Sequence, residues 1–282
     1  MKQDVQAKVV AVSGTYMGVV EREERTGDDS AATLVLLHGF TGSAAGWGRL
    51  LHELPGRRLI ALDLPGHGAS DAPRDPGFYS LEQCSENVVA ALRVLGVAPG
   101  EAVLLGYSLG GRIALYSAFS GFFRAVILES ASPGLADAEE REQRRASDET
   151  LAQRIEREGV PAFVSYWENI PLFASQAVLP AEVRAAQRRL RLLNQAHGLA
   201  NSLRGAGTGT QPPLHEQLAR LNMPVMLVTG ELDTKFCAIG RDMAQCLPHA
   251  ELYIVPGAGH AVHLERPEIF SGLVRQFCAS LI

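Results

Sequence analysis

The chain has 282 residues, of which 46% are hydrophobic and 20% are charged. These proportions are typical of a folded globular protein and exclude a largely disordered chain, a collagen and a coiled coil. Its 26 Lys and Arg against 31 Asp and Glu give a net charge of -5. The chain therefore lacks the positive field that binds a phosphate backbone, and we expect no nucleic-acid partner.

The first eight residues, Met1 to Lys8, lack the apolar core of a signal peptide. No apolar run reaches the roughly 18 residues that a membrane-spanning helix needs. We therefore expect a soluble, cytosolic protein with no membrane partner. The cysteines have neither C-x-x-C spacing nor paired histidines, which predicts small core side chains rather than a zinc site or a disulfide framework. They are Cys84, Cys237, Cys246 and Cys278.

The first half of the chain alternates strands and helices. After an antiparallel edge hairpin over Lys8 to Glu21, apolar runs predict strands at Thr33 to Leu37, Arg58 to Leu62, Ala102 to Leu105 and Ala125 to Leu128, with helices at Leu81 to Leu95 and Leu109 to Phe119. Such alternation with short links is typical of an α/β fold with a doubly wound, mostly parallel sheet.

The alternation stops at Pro133 and resumes with a strand at Pro224 to Val228. A helix near Ile239 to Cys246, a strand at Leu252 to Val255 and a helix from Pro267 to Ser280 complete the pattern. The segment in between has helical spacing and no strand-like run. We therefore predict a core formed by residues 1–132 and 222–282, with residues 133–221 as a helical cap inserted above one sheet.

A G-x-S-x-G pattern lies between a predicted strand and a predicted helix, at Gly106 to Gly110. This is the context of a nucleophile elbow, in which a strained turn exposes the central serine. The pattern predicts Ser108 as the reactive hydroxyl.

A serine hydroxyl needs a histidine to take its proton and an acid to orient that histidine. On this type of sheet the chain order is Ser, then Asp or Glu, then His, each after a strand. Asp233 and His260 fit that order, with Glu231 and His263 as the nearest alternatives.

Backbone N–H groups that face developing negative charge complete such a site. Leu109, after the nucleophile, and Phe40, in the His38-Gly39-Phe40 turn after the first parallel strand, are predicted to supply them. Asp63 to Gly68 is predicted to be a structural loop.

The chain resembles the α/β-hydrolase superfamily over essentially its whole length. The motifs that carry this resemblance are Leu37 to Phe40, Asp63 to Gly68, Gly106 to Arg112, Gly230 to Asp233 and Gly259-His260. The segment between the two halves is more specific and looks like the 2-succinyl-6-hydroxy-2,4-cyclohexadiene-1-carboxylate synthase family of menaquinone biosynthesis. Its matching features are Ser132 to Leu135, Arg141, Arg144, Trp167, Pro171 to Gln176, Arg184 to Arg191, Gly198 to Arg204 and Gly207 to Gln211, followed by Asp233 to Phe236. The N-terminal 30 residues are longer than this family requires.

The resemblance implies a lyase that eliminates pyruvate from 2-succinyl-5-enolpyruvyl-6-hydroxy-3-cyclohexene-1-carboxylate, without metal or cofactor. A substrate with three carboxylates requires cations, and arginine suits them. The resemblance implies Arg112, Arg144 and Arg191, with Arg188 as the alternative to Arg191, and places Tyr107 and Trp167 in the same pocket. A hydrolase of esters or carbon–carbon bonds would use the same triad and is the second hypothesis. No sequence feature indicates an oligomeric state.

Overall fold

The chain folds into a mixed eight-stranded sheet flanked by helices. The computed structural model describes residues 5–23, 32–54 and 56–281. The strands are β1 (Val5–Val12), β2 (Thr15–Arg22), β3 (Thr33–Leu37), β4 (Leu59–Leu62), β5 (Ala102–Tyr107), β6 (Ala125–Glu129), β7 (Val225–Gly230) and β8 (Ala250–Val255). The α-helices are α1 (Gly48–Glu53), α2 (Leu81–Val94), α3 (Leu109–Ala118), α4 (Ala138–Trp167), α5 (Ala181–Leu192), α6 (Ala196–Ala206), α7 (Thr234–Cys246), α8 (Val262–Glu265) and α9 (Pro267–Ala279). Short 3-10 helices cover Ala44–Trp47, Pro76–Tyr79, Pro171–Val178 and His215–Arg220.

The strands are hydrogen-bonded in the order β1-β2-β4-β3-β5-β6-β7-β8. Only β2 is antiparallel to its neighbours, and all other pairs are parallel. This confirms the predicted mostly parallel sheet. The register aligns the carboxyl ends of the strands, since Leu37 lies opposite Gly106 and Tyr107 lies opposite Glu129. Loops that leave these ends therefore meet at one edge, where ligands bind in open α/β sheets.

The central strands read as unbroken apolar runs because both faces of the sheet are covered. In β3, Val35 and Leu37 belong to one buried cluster with α2 and α3, whereas Leu34 and Leu36 belong to another with α1 and α9. The alternation of side chains across a strand produces this division. The two clusters hold the loops at the carboxyl edge on a rigid base.

Between β6 and β7 the chain forms α4, α5 and α6 with no strand. Helices α4 and α6 have their own apolar core, which includes Phe163 and Leu199. Helix α4 is kinked at Gly159, where φ is 78° and ψ is 166°. A left-handed backbone angle suits glycine, which has no Cβ to clash. No helix in the described ranges is both long and apolar enough to cross a membrane.

Three details differ from the sequence-based expectation. Helix α7 begins at Thr234, five residues before the predicted Ile239, because the Asp233 carboxylate accepts a hydrogen bond from the Phe236 N–H and caps the helix. The short helices α1 and α8 were not predicted, since segments of six and four residues carry no periodicity. Cys246 lies exposed at the end of α7, whereas the other cysteines are buried. Of the N-terminal 30 residues, the hairpin takes up residues 5–22; 1–4 and 24–30 lie outside the described residues.

Candidate active site

Ser108 lies on a sharp turn between β5 and α3. Its backbone has φ 51° and ψ -107°, which is strained for a residue with a side chain. Glycines on either side make the turn possible. A Cβ on Gly106 would lie 2.2 Å from the carbonyl oxygen of Gly110, and one on Gly110 would lie 2.2 Å from that of Leu37. The strain presents the serine hydroxyl above the sheet, as a nucleophile elbow does.

The structure brings Ser108, Asp233 and His260 into one hydrogen-bonded chain. His260 is 1% exposed, and its Nδ1 lies 2.6 Å from Asp233 Oδ2. Since a carboxylate only accepts, Nδ1 carries the proton, and Nε2 is left to accept from the Ser108 hydroxyl at 3.0 Å. This geometry allows the serine to lose its proton to the imidazole.

The two alternative residues are engaged elsewhere. Glu231 accepts a hydrogen bond from the Gly257 N–H. His263 lies beyond the triad, with Nδ1 2.9 Å from both carboxylate oxygens of Glu129. Neither makes a described contact with Ser108.

The two loops with the predicted oxyanion-binding amides pack against each other. Leu109 is the first residue of α3, so its N–H belongs to the group that has no partner inside the helix. Phe40 follows β3 in the neighbouring loop and lines the same cavity as Ser108. A Cβ on Gly39 would lie 2.6 Å from the Tyr107 ring and 3.5 Å from Ser108 Cβ. Glycine therefore lets the Phe40 loop approach the serine.

Two buried histidines support this loop. His38 Nε2 accepts from the Leu64 N–H at 3.0 Å, and its ring centroid lies 5.0 Å from that of His67. Burial lowers the pKa of His38 to about 4. Burial and the adjacent His38 lower the pKa of His67 to about 3. Both imidazoles are therefore neutral at pH 7, and the Asp63 to Gly68 segment is a structural support, as expected.

We expect the protein to lose stability in mild acid. Both histidines have a folded-state pKa below the unfolded value of 6.5, so the unfolded chain takes up protons first as the pH falls. Between pH 6.5 and 5 each is expected to reduce the free energy of unfolding by up to about 1.4 kcal/mol per pH unit. Urea unfolding at a series of pH values measures this slope. His67→Asn should lower the slope, and the exposed His52→Asn should not. A slope unchanged by His67→Asn would contradict this assignment.

The triad opens into a cavity of about 220 Å³ between the sheet edge and the helices that follow β6. Three cationic side chains line it, from Arg112, Arg144 and Lys235. No Asp or Glu is among its lining residues in the described part of the chain. A cavity with this charge suits an anionic ligand.

Arg112 and Arg144 lie where the sequence predicted them, in the cavity of Ser108. Arg112 Nη1 donates to Gln211 Oε1 at 3.2 Å, and burial with the nearby Arg144 lowers its pKa to about 10. Arg144 donates to the buried Asp148 at 2.8 Å. Burial raises the pKa of Asp148, whereas the charge of Arg144 opposes that shift. Gln211 and Asp148 therefore hold the two guanidinium groups at the cavity wall.

The role of Arg191 in substrate binding stays a prediction, since its side chain is not among those that line this cavity. Arg191 lines a smaller neighbouring cavity together with Tyr107 and Phe173. The Arg191 guanidinium lies over the Phe173 ring, with the guanidinium carbon 5.7 Å from the ring centroid. Phe173 also lines the larger cavity. Arg188, the alternative, forms an ion pair with Glu168 in an outer groove and lines neither of these two cavities.

Tyr107 and Trp167 both line the larger cavity, as predicted. Trp167 also packs against Phe40 and Phe163, with ring centroids 5.3 and 5.5 Å away, so it belongs to the apolar core as well. Burial and the charge of Glu129 raise the pKa of Tyr107. Its hydroxyl therefore stays protonated at neutral pH and is available as a donor.

Several lining residues were not predicted from the sequence, and Lys235 is the most informative of them. It lies two positions after Asp233 on the first turn of α7. A cation so close to a predicted catalytic acid was the signal that could have identified it. The others include Ser130, Ser132, Ser202, Leu172, Phe236 and Ile239. Within the described residues no group of three His, Cys, Asp or Glu side chains could hold a metal ion.

Comparisons with known proteins agree with this geometry. The model of the alpha/beta hydrolase family matches residues 34–273. A protein of Bacillus subtilis (strain 168), provisionally named a 2-succinyl-6-hydroxy-2,4-cyclohexadiene-1-carboxylate synthase, is 43% identical over 90% of this chain and 93% of its own length. The synthase of that name from Serratia proteamaculans (strain 568) is 38% identical over 89% of this chain and 94% of its own. The structure of MenH from S. aureus superposes with a TM-score of 0.88 at 30% identity, covering 93% of this chain and 98% of that one. The chain therefore belongs to the alpha/beta hydrolase family, in the group that includes these 2-succinyl-6-hydroxy-2,4-cyclohexadiene-1-carboxylate synthases.

Proposed function

We propose that the protein is a lyase that eliminates pyruvate from 2-succinyl-5-enolpyruvyl-6-hydroxy-3-cyclohexene-1-carboxylate and forms 2-succinyl-6-hydroxy-2,4-cyclohexadiene-1-carboxylate. The observation that carries this proposal is the charge around the triad: Arg112, Arg144 and Lys235 line the cavity, and none of the described residues contributes a carboxylate to its wall. The substrate has three carboxylates, which such a cavity attracts. The names of the relatives support the same reaction.

In this reaction Ser108 acts as a base rather than as an acyl acceptor. His260 Nε2 takes the hydroxyl proton, and the serine oxygen then removes the ring proton next to the succinyl carbonyl. Asp233 keeps Nδ1 protonated and stabilises the imidazolium that forms. The 2.6 and 3.0 Å hydrogen bonds support this proton path.

Removing the ring proton moves negative charge onto the succinyl carbonyl oxygen. We assign the Phe40 and Leu109 N–H groups to stabilise that oxyanion. The enolate then collapses: its electron pair forms the ring double bond at position 2, and the original double bond moves from position 3 to position 4. The carbon–oxygen bond to the enolpyruvyl group breaks at the same time. The group leaves as the enolate of pyruvate, which takes up a proton. No covalent enzyme intermediate, metal or cofactor is required.

Residues 133–221 serve in this proposal as a cap over the reacting ring. Trp167 and Phe173 line the cavity above the triad, and their rings lie 5.8 Å apart. An apolar roof excludes water and strengthens the electrostatic interactions beneath it. The trianionic substrate does not cross membranes unaided, so we propose that the enzyme acts in the cytosol and that its substrate is made in the same compartment.

Pyruvate release from the enolpyruvyl substrate tests the proposal. The purified protein should release stoichiometric pyruvate, which a coupled NADH assay detects, and should turn over a neutral p-nitrophenyl ester far more slowly. Arg157→Gln, which alters an exposed side chain of α4, is the control and should release pyruvate at the rate of the unaltered protein. Rapid ester hydrolysis without pyruvate release would favour the second hypothesis, a hydrolase of esters or carbon–carbon bonds.

A further inference from the structure

The loop that carries His260 must hold that residue with high precision. It spans residues 256–261, between β8 and α8, and belongs to no helix or strand. The two imidazole nitrogens nevertheless lie 2.6 Å from Asp233 and 3.0 Å from Ser108. A displacement of about 1 Å at a reacting group can cost about 10²-fold in rate. Contacts outside the triad must therefore fix this loop.

The Glu265 carboxylate supplies such contacts on both sides of the histidine. Its Oε2 accepts from the Gly259 N–H at 2.7 Å, and its Oε1 accepts from the Ala261 N–H at 3.3 Å. Gly259 and Ala261 are the neighbours of His260 in the chain. One carboxylate therefore bridges the two backbone N–H groups that flank the catalytic imidazole.

Glu265 is a buried carboxylate whose charge is compensated by the backbone. The residue is 6% exposed, and among the described residues its carboxylate accepts only from backbone N–H groups. Burying a charge is costly unless hydrogen bonds compensate it, and bonds to an ionised carboxylate are stronger than neutral ones. An apolar side chain would fill the same space at lower cost if packing were its only task. The position therefore uses the two acceptor oxygens of the carboxylate.

A helix cap accounts for only one of the two hydrogen bonds. Ala261 is the N-cap of α8, so a carboxylate on its N–H also closes the first turn of that helix. Helix α8 spans only Val262–Glu265, and Gly259 lies two residues before its N-cap. The bond to Gly259 is the shorter of the two. Glu265 therefore holds the loop itself in addition to the helix.

The turn that carries Asp233 packs directly on this loop. The Leu232 N–H donates to the Ala258 carbonyl at 2.8 Å. A Cβ on Gly230 would lie 2.1 Å from the Gly259 carbonyl oxygen, so the two loops are in contact along their backbones. A shift of Gly259 therefore changes the distance between the catalytic histidine and its carboxylate partner.

We infer that Glu265 is a positioning residue for the triad. By binding the N–H groups on both sides of His260, its carboxylate holds the imidazole where Nδ1 donates to Asp233 and Nε2 accepts from Ser108. Glu265 is not among the residues that line the cavity of Ser108, so it acts through His260 and not on the substrate. The use of pyruvate release as an assay rests on the proposed function, whereas the placement of His260 rests on these hydrogen bonds.

The kinetics of Glu265→Gln test this role. Glutamine has the same size, but its amide nitrogen would face one of the two N–H groups, so one hydrogen bond is lost. We expect kcat for pyruvate release to fall about 10- to 100-fold, with KM within about twofold, because proton transfer is misaligned while the cavity is unchanged. Glu231→Gln is the matched control, since this exposed carboxylate accepts from the Gly257 N–H at 2.9 Å and does not bind a neighbour of His260. It should keep kcat within about twofold.

An unaltered kcat in a folded Glu265→Gln would overturn the inference, and so would a loss that appears only in KM. A thermal melt shows whether the variant is folded. If it is not, Glu265→Asp replaces it, because aspartate keeps the charge but is one methylene too short to reach both N–H groups. The same loss of kcat is expected there, and an unaltered kcat in Glu265→Asp would equally overturn the inference.

A spectroscopic measurement separates this inference from the proposed function. The ¹⁵N shifts of an imidazole show which nitrogen carries the proton, and the His260 signals are those missing in His260→Ala. At about pH 8.5, above the ordinary histidine pKa of about 6.5, the unaltered protein should hold the Nδ1–H form. Glu265→Gln should shift these signals toward a mixture with the Nε2–H form, and Glu231→Gln should leave them unmoved. Signals that stay unmoved in Glu265→Gln would overturn the inference even if pyruvate is released. Shifted signals in a protein that releases no pyruvate would retain the inference and refute the proposed function.

Discussion

Replacing Ser108 by alanine is expected to lower kcat for pyruvate release by about 10²- to 10⁴-fold, the range that a positioned proton-transfer group contributes. The serine oxygen is the atom that His260 can deprotonate, at 3.0 Å from Nε2. Alanine keeps the backbone but leaves His260 with no hydroxyl to deprotonate, so no group removes the ring proton. Stopped-flow or steady-state pyruvate assays measure the loss, and a thermal melt shows whether the fold is retained.

Asp233→Asn and His260→Ala should produce losses of a similar order, and combining them with Ser108→Ala should add little. Residues that work as one unit have strongly non-additive effects. Ser117→Ala, on the same helix as the nucleophile, should retain wild-type activity. Near-normal turnover by Ser108→Ala would refute the mechanism, since no other group in the proposal removes the ring proton.

The second large effect is expected from the arginines. Arg144→Gln and Arg112→Gln should each reduce kcat/KM for the tricarboxylate by about 10- to 150-fold, because a charge-assisted hydrogen bond contributes about 1.5 to 3 kcal/mol. Hydrolysis of a neutral p-nitrophenyl ester, where measurable, should change by about twofold or less, since a neutral substrate makes no ion pair. The comparison of the two substrates is the measurement.

Arg144→Gln also removes the ion-pair partner of the buried Asp148. The double variant Arg144→Gln/Asp148→Asn therefore separates lost stability from lost binding, because it leaves no unpaired charge. The exposed Arg157→Gln should have no effect on either substrate. Equal losses on both substrates would indicate damage to the triad or the fold and would contradict a role in carboxylate binding.

Much of the fold and of the proposed chemistry could be predicted from local patterns. Strand runs of four apolar residues, such as Leu34 to Leu37 and Ala125 to Leu128, are visible in the sequence because both faces of a parallel sheet are buried. The loops after these strands carry Ser108, Asp233 and His260, and parallel strands necessarily bring such loops to one edge. The proximity of the three side chains could therefore be predicted without any knowledge of the helices that follow β6.

The direction of each arginine could not be predicted in the same way. Arg144 lies on α4, and Arg188 and Arg191 lie on α5; both helices are rich in arginine, and helical spacing gives only a shared face. Partners from distant elements decide the outcome: Glu168 binds Arg188 in an outer groove, and the Arg191 guanidinium lies over the ring of Phe173, beside the larger cavity.

The sequence by itself determined the parallel sheet, the elbow and the order of the triad, because these depend on hydrophobic runs and on the residues at their ends. The tertiary structure alone decided which cations line the cavity that contains Ser108. The physical reason is that orientation, burial and hydrogen-bond satisfaction depend on contacts between elements far apart in the chain, whereas periodicity reports only which face of an element is apolar.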